Sequence, residues 1–265
     1  MVEPVAITEI LRGYLKENSP GRDRLYPLLE WNTPGVYKFW DDFDGDTIDG
    51  RWQTHVNGTG AAALAIATGE LNGVATLNAG SANDGHSAAS LGLHFRADHN
   101  PVFIARVHLD TAVTNTKVEL GFTDVVAGTD VGAVNVLGTL SSTTANDFAV
   151  WAVDTDDTTL WQGVSADGGT SPAKYEPSAL IGPTADTYET FIVALQQVTG
   201  TNVAAARYIR MDANMNNVIK DSGWIDEAIS SNVLLTPWIF IQNRSAAGHT
   251  LDLDFVGAWQ RRSTA

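Results

Sequence analysis

The chain has 265 residues and 44% hydrophobic content, enough to bury a substantial core and to argue against disorder over most of its length. It contains no cysteine, which excludes a disulfide framework, a thiolate metal site and a cysteine nucleophile. Its net charge of −15 argues against nucleic acid as a partner, because phosphate binding needs a basic face.

The first 38 residues differ from the rest. Ile7, Ile10, Leu11, Tyr14 and Leu15 recur at helical spacing and predict one amphipathic helix over 5–17, with Pro4 in its first turn and Asn18-Ser19-Pro20-Gly21 as its stop. A helix this short is marginal alone in water, so its apolar stripe must be covered. Pro20, Pro27 and Pro34 then mark an extended arm carrying Trp31. Residues 1–38 hold five bases and five acids, so the whole net charge of −15 falls on the body, 39–265. A neutral arm suits docking on another protein while an acidic body stays solvated; the alternative is that it packs back on its own domain. No apolar run reaches the ~18 residues of a membrane span. Met1-Val2-Glu3-Pro4 lacks the regions of a secretory signal, so the chain is expected to be made and used without export by that route.

From Phe39 onward short β-type runs alternate with Gly, Asn, Asp and Thr. Strands are predicted over 62–67, 73–77, 89–95, 102–109, 117–123, 133–137, 148–153, 158–165, 188–196, 204–211, 233–242 and 251–259. In 102–109 the alternation is strict: Val102, Ile104, Arg106 and His108 face one way, and Phe103, Ala105, Val107 and Leu109 the other. Many short strands, turn pairs such as Asn72-Gly73 and Asp84-Gly85, and no fixed repeat predict one antiparallel β-sandwich.

Four stretches sharpen this. Phe39-Trp40-Asp41-Asp42-Phe43-Asp44-Gly45-Asp46-Thr47-Ile48-Asp49-Gly50-Arg51-Trp52 resembles the first strand of the concanavalin A-like, laminin-G-like jelly-roll superfamily found in many phage proteins. Val118-Glu119-Leu120-Gly121-Phe122-Thr123-Asp124 is similar to its central strand. Tyr188-Glu189-Thr190-Phe191-Ile192-Val193 with Ala205-Ala206-Arg207-Tyr208-Ile209-Arg210-Met211-Asp212 resembles its back-sheet pair, and Leu251-Asp252-Leu253-Asp254-Phe255-Val256-Gly257-Ala258-Trp259 its returning last strand. The expected fold is therefore an all-β, antiparallel jelly-roll sandwich of the concanavalin A-like kind, with a short N-terminal helix and extended arm.

Jelly-roll glycoside hydrolases carry Glu-x-Asp-x-x-Glu on a central strand, as acid and nucleophile. Here Glu119 matches, Gly121 stands where the middle Asp belongs, and the second Glu is missing; Glu119 and Asp124 are expected on opposite strand faces. No catalytic residue is assigned and no enzyme is expected. Asp42, Asp44 and Asp46 alternate like a calcium loop, but Thr47 stands where that loop needs Gly. They read as a solvated turn with calcium as the weaker option, so no metal or cofactor is assigned. The six histidines read as surface or subunit-contact residues; His94 and His99, five apart, do not form a usual zinc pair. Trp40, Trp52, Trp151, Trp161, Trp224, Trp238 and Trp259 read as core, with Trp161 the candidate for an exposed, sugar-stacking ring.

The resemblance implies a phage virion structural protein. The expected role is a capsid decoration or cement protein on the capsid exterior. Ile7, Ile10, Leu11, Tyr14, Leu15 and Trp31 would bury against the major capsid protein and copies of the chain itself, in a trimer. The alternative is a tail-associated carbohydrate- or receptor-binding module with a lectin-like sandwich. Only that alternative calls for a glycan; neither calls for nucleic acid or a membrane.

Overall fold

The computed structural model describes residues 35–262, apart from 71–72, 111–112, 126–131, 135–143, 169, 176–181 and 247. The expected helix at 5–17, with Ile7, Ile10, Leu11, Tyr14 and Leu15, lies outside the described residues, as does Trp31 in the arm.

In chain order the described residues form β1 (Val36–Asp41), β2 (Gln53–Asn57), β3 (Ala62–Ile66), β4 (Ala75–Asn78), β5 (His86–Ser90), β6 (Phe95–Arg96) and β7 (Val102–Leu109). After these come β8 (Thr116–Thr123), β9 (Phe148–Asp154), β10 (Thr158–Asp167), β11 (Thr170–Tyr175) and β12 (Tyr188–Gln197). The last are β13 (Val203–Met211), β14 (Val218–Ser230), β15 (Leu234–Asn243) and β16 (Thr250–Arg261). A single 3₁₀ turn, Ala97–His99, follows β6. The strands make two antiparallel sheets. The first runs β14-β13-β12-β7-β16-β4-β3, with β1 also on β16; the second runs β11-β10-β9-β8-β15-β5-β2, with β6 on the start of β15. The N-terminal β1 pairs with the C-terminal part of β16, Val36 opposite Arg261 and Tyr37 opposite Gln260.

Period-two alternation decides which side chains meet between the sheets. Phe103, Ala105, Val107 and Leu109 of β7, as expected, face Val118, Leu120 and Phe122 of β8 and Ala149, Trp151 and Val153 of β9 in one core. Full burial of each large apolar side chain there contributes about 1.5–3 kcal/mol. Two glycines are fixed by close approach. A Cβ on Gly163 would lie 2.6 Å from the ring of the buried Tyr208, and one on Gly73 (φ +71°) would lie 2.4 Å from the backbone of Phe43.

The predicted strands at 62–67, 73–77, 102–109, 117–123, 148–153, 158–165, 188–196, 204–211, 233–242 and 251–259 form within a residue or two of those limits. Others are corrected. The strand predicted at 89–95 breaks into β5 and β6, because Gly92 takes φ +79° and the two pieces pair with different parts of β15. Of the strand predicted at 133–137, Ala133 and Val134 instead lie across the second sheet, and 135–137 fall outside the described residues. Val36–Lys38, assigned to the arm on sequence, are paired into the first sheet. Strands β2, β11 and β14 were not predicted. β11 carries Pro172, tolerated because β11 is an edge strand. β14 is rich in Asp, Ser and Glu, and left-handed residues at Gly223 and Glu227 accompany shifts of register that break its alternation.

Candidate functional site

The outer face of the second sheet is where the resemblance would place a hydrolase's carboxylates. Register fixes its rows. One runs Gln162, Ala152, Glu119, Phe240, Ala88, His55 across β10, β9, β8, β15, β5 and β2. A neighbouring row runs Asp154, Lys117, Gln242, His86, Asn57. Ala133, Val134 and Ala145 cover this face and make a second apolar cluster with Trp238, Phe240 and Val150.

Beneath that cover Lys117 and Glu119 are both 0% exposed. The Lys117 ammonium lies 3.0 Å from Glu119 Oε1 and also donates to the Val134 carbonyl. Glu119 Oε2 accepts from the Ala133 N–H at 2.6 Å and from the Trp238 indole at 3.0 Å; Oε1 accepts from the Val134 N–H at 3.1 Å. A Cβ on Gly132 would come within 2.6 Å of Glu119 Oε1, so the covering chain approaches closely. A two-carboxylate hydrolase needs its second carboxyl about 5–9.5 Å away across an open cleft. Here Gly121 occupies the position two along, and the carboxylate in the adjoining row, Asp154, is held by Arg244 at 2.9 Å. Asp124 lies beyond the end of β8, its carboxyl pushed up by burial and by the charge of Asp147. Glu119 is thus a clamp that fixes the covering chain to the sheet.

The acidic turn contributes no ligand cage. Asp44 and Asp46 are exposed, and among the described residues no three histidine or carboxylate groups converge on one point. The adjacent Asp41 accepts from the Trp52 indole at 2.7 Å and from the Phe43 N–H at 2.9 Å; burial pushes its carboxyl up. Trp161 corrects the expectation of an exposed ring: it is 1% exposed, in the core, with its centroid 4.4 Å from that of Phe191. Of the other tryptophans, Trp52, Trp151 and Trp238 are buried, while Trp40, Trp224 and Trp259 are partly buried on the outer face of the first sheet. Two histidines expected at the surface are also buried: His86 against Phe240, and His249 beside Asp110.

An open groove of about 480 Å³ lies elsewhere, where β1 and β16 meet the segment around β6, and is lined by Tyr37, His94, His99, Gln260 and Arg262. That volume is within the usual range of small-molecule sites, about 300–1,000 Å³. The half-buried Tyr37 ring packs against the core and meets Phe95 at a tilt of 57°, 5.4 Å between centroids, and His94 edge-on at 6.4 Å. Gln260 is committed to the backbone: its Oε1 accepts from Arg96 N–H at 2.9 Å and its amide donates to the His94 carbonyl at 2.8 Å. The groove is therefore a rigid floor with an aromatic ring, two imidazoles and a guanidinium around it.

Neither a protein-family model nor the sequence of a curated protein matches the chain. Solved structures do. A protein of unknown function from Shewanella oneidensis MR-1 superposes with a TM-score of 0.60 at 12% identity, over 93% of this chain and 96% of that one. The carbohydrate recognition domain of Emp47p gives 0.54 at 12% identity, over 88% and 99%. The fold is a lectin-like sandwich. A family 16 glycoside hydrolase from Bacteroides ovatus, from a mixed-linkage glucan locus, gives 0.51 at 9% identity, over 82% and 98%. The sandwich thus serves binding and hydrolysis alike, and these likenesses are of fold.

Sequence reasoning singled out Glu119 and the pair His94 and His99, but weighed the histidines as zinc ligands. It missed Lys117, Tyr37, Gln260 and Arg262. For the groove no local signal exists, because Tyr37 and Arg262 come from opposite ends of the chain and meet only through the β1–β16 pairing.

Proposed function

We propose that this chain is a carbohydrate-binding module that holds its ligand without cleaving it. The observation that carries this reading is the groove beside β1, in which an aromatic ring and polar side chains are presented together on a lectin-like sandwich. Sugar sites combine these two features, an apolar ring face for the C–H side of a pyranose and donors for its hydroxyls. The buried, ion-paired state of Glu119 supports binding over hydrolysis.

The capsid-decoration role expected from the sequence draws no support from the fold, which favours the alternative of a lectin-like module. We keep the N-terminal residues Ile7, Ile10, Leu11, Tyr14, Leu15 and Trp31 as the proposed attachment to a virion subunit or to further copies of the chain. Copy number in purified particles reads this directly: a few copies fit a tail-borne module, many copies a capsid lattice, and absence from particles removes the virion assignment.

The full chain is expected to be retained by a subset of saccharides on a glycan array and to release no reducing ends from them on prolonged incubation. No retention by any saccharide would overturn the reading. Steady release of reducing ends would replace it with hydrolysis.

A further inference from the structure

We infer that the groove takes an acidic saccharide, a sugar ring carrying a carboxylate, with the ring on Tyr37 and the carboxylate at Arg262. This rests on the carbohydrate-binding reading above and adds the class of sugar.

Local charge in the groove runs against the global background. The chain carries 31 acidic and 16 basic residues, so an average patch of its surface repels anions. The groove departs from that average. Arg262, His94 and His99 line it, and among the described residues none of its lining is an acid. Arg262 is exposed, and among the described residues no carboxylate pairs with it. The acid beside the groove, Asp98, is engaged by the Arg96 guanidinium; its other oxygen lies 3.7 Å from His99. Among the described residues, a carboxylate entering the groove therefore meets a cation with no competing partner.

The geometry matches a sugar better than a bare anion. Tyr37 stands on β1 opposite Gln260 on β16, and Arg262 follows the end of β16, its backbone N–H bonded to the Gly35 carbonyl at 2.6 Å. Ring and guanidinium are thus carried by one paired unit, with Gln260 tying the backbone of His94 and Arg96 to it. The backbone that carries both groups is thus already ordered, which lowers the cost of binding at a shallow site. A guanidinium can hold a carboxylate through two parallel hydrogen bonds while an adjacent ring stacks on the pyranose. A simple anion would use the first contact and leave Tyr37 idle.

The experiment is calorimetric titration of the full chain with a galacturonic acid trimer and with the same trimer after reduction of its carboxyls to primary alcohols. Inorganic phosphate serves as the bare anion. The acidic trimer is expected to bind at least tenfold more tightly than the reduced one, and more tightly than phosphate. Added sodium chloride is expected to weaken the acidic trimer selectively. Arg262→Ala, at an exposed position, is expected to remove the preference while leaving the melting temperature unchanged; His94→Ala is expected to reduce it. Equal binding of both trimers, or an acid preference that survives Arg262→Ala, overturns this inference and leaves the carbohydrate-binding reading standing. Phosphate binding as tight as the acidic trimer also overturns it, reducing the groove to an anion site. Binding of no saccharide at all, here or on the array, takes both down.

Discussion

Replacing Glu119 with leucine is expected to lower the folding stability by about 3–5 kcal/mol, a fall in melting temperature of roughly 2–4 °C for each of those kcal/mol. The size follows from what the carboxylate does. Its removal takes the Glu119 carboxylate away from the buried Lys117 ammonium, and strips the acceptor from the Ala133 N–H, the Val134 N–H and the Trp238 indole. Each of these donors is shut away from water, so none can exchange its lost partner for solvent. Lys117→Met is expected to be destabilising by less, because Glu119 would keep three N–H donors. The double substitution should cost less than the sum of the two, since Lys117 and Glu119 contact each other directly and their losses are not independent. Urea denaturation of the four proteins gives this cycle. A loss below about 1 kcal/mol for Glu119→Leu would show that the clamp is not structural. An unaltered stability with loss of a hydrolytic activity would return Glu119 to the catalytic role that its position on the central strand suggests.

Trp161→Ala is expected to cost about 3–5 kcal/mol, the range for deleting a large aromatic side chain from a packed core. The ring lies on the inner side of β10 at 1% exposure, against Phe191 and within the cluster that also holds Trp151 and Tyr208. Alanine would leave a void that paired strands on both sides cannot collapse to fill. Saccharide affinity measured on the folded fraction should be unchanged. A variant that keeps its melting temperature but loses saccharide binding would mean that this tryptophan faces ligand, and that the groove beside β1 is not the site. The two substitutions separate opposite faces of one sheet, since Trp161 points into the sandwich and Glu119 points away from it under its own cover.

The sequence was most legible where side-chain period and burial coincide. Along β7 the alternation of Phe103, Ala105, Val107 and Leu109 with Val102, Ile104, Arg106 and His108 assigns both faces of the strand by itself, and the core takes up the first set. Such alternation, repeated through β8, β9, β12, β13 and β15, was enough for an antiparallel sandwich. Legibility failed where a strand was held by something other than its own pattern. β14 is broken by Gly223 and Glu227 but anchored by the Arg207–Asp221 pair, with contacts of 2.8 and 2.6 Å. Ala133-Val134 reads as strand because it is apolar, yet its N–H groups are taken by the Glu119 carboxylate.

The sequence alone therefore determined the fold class, the positions of most core strands and the lack of a carboxylate at position 121, two along the strand from Glu119, because each depends on local period or on residue type. Tertiary structure decided which polar residues meet. It buried Glu119 and Trp161, the two positions whose chemistry looked most open to a ligand. It also joined Tyr37 to Arg262 across nearly the whole length of the chain. Pairing of distant strands carries no mark in local spacing, since any strand of suitable period can hydrogen-bond to any other, and the choice is made by packing the sheets together.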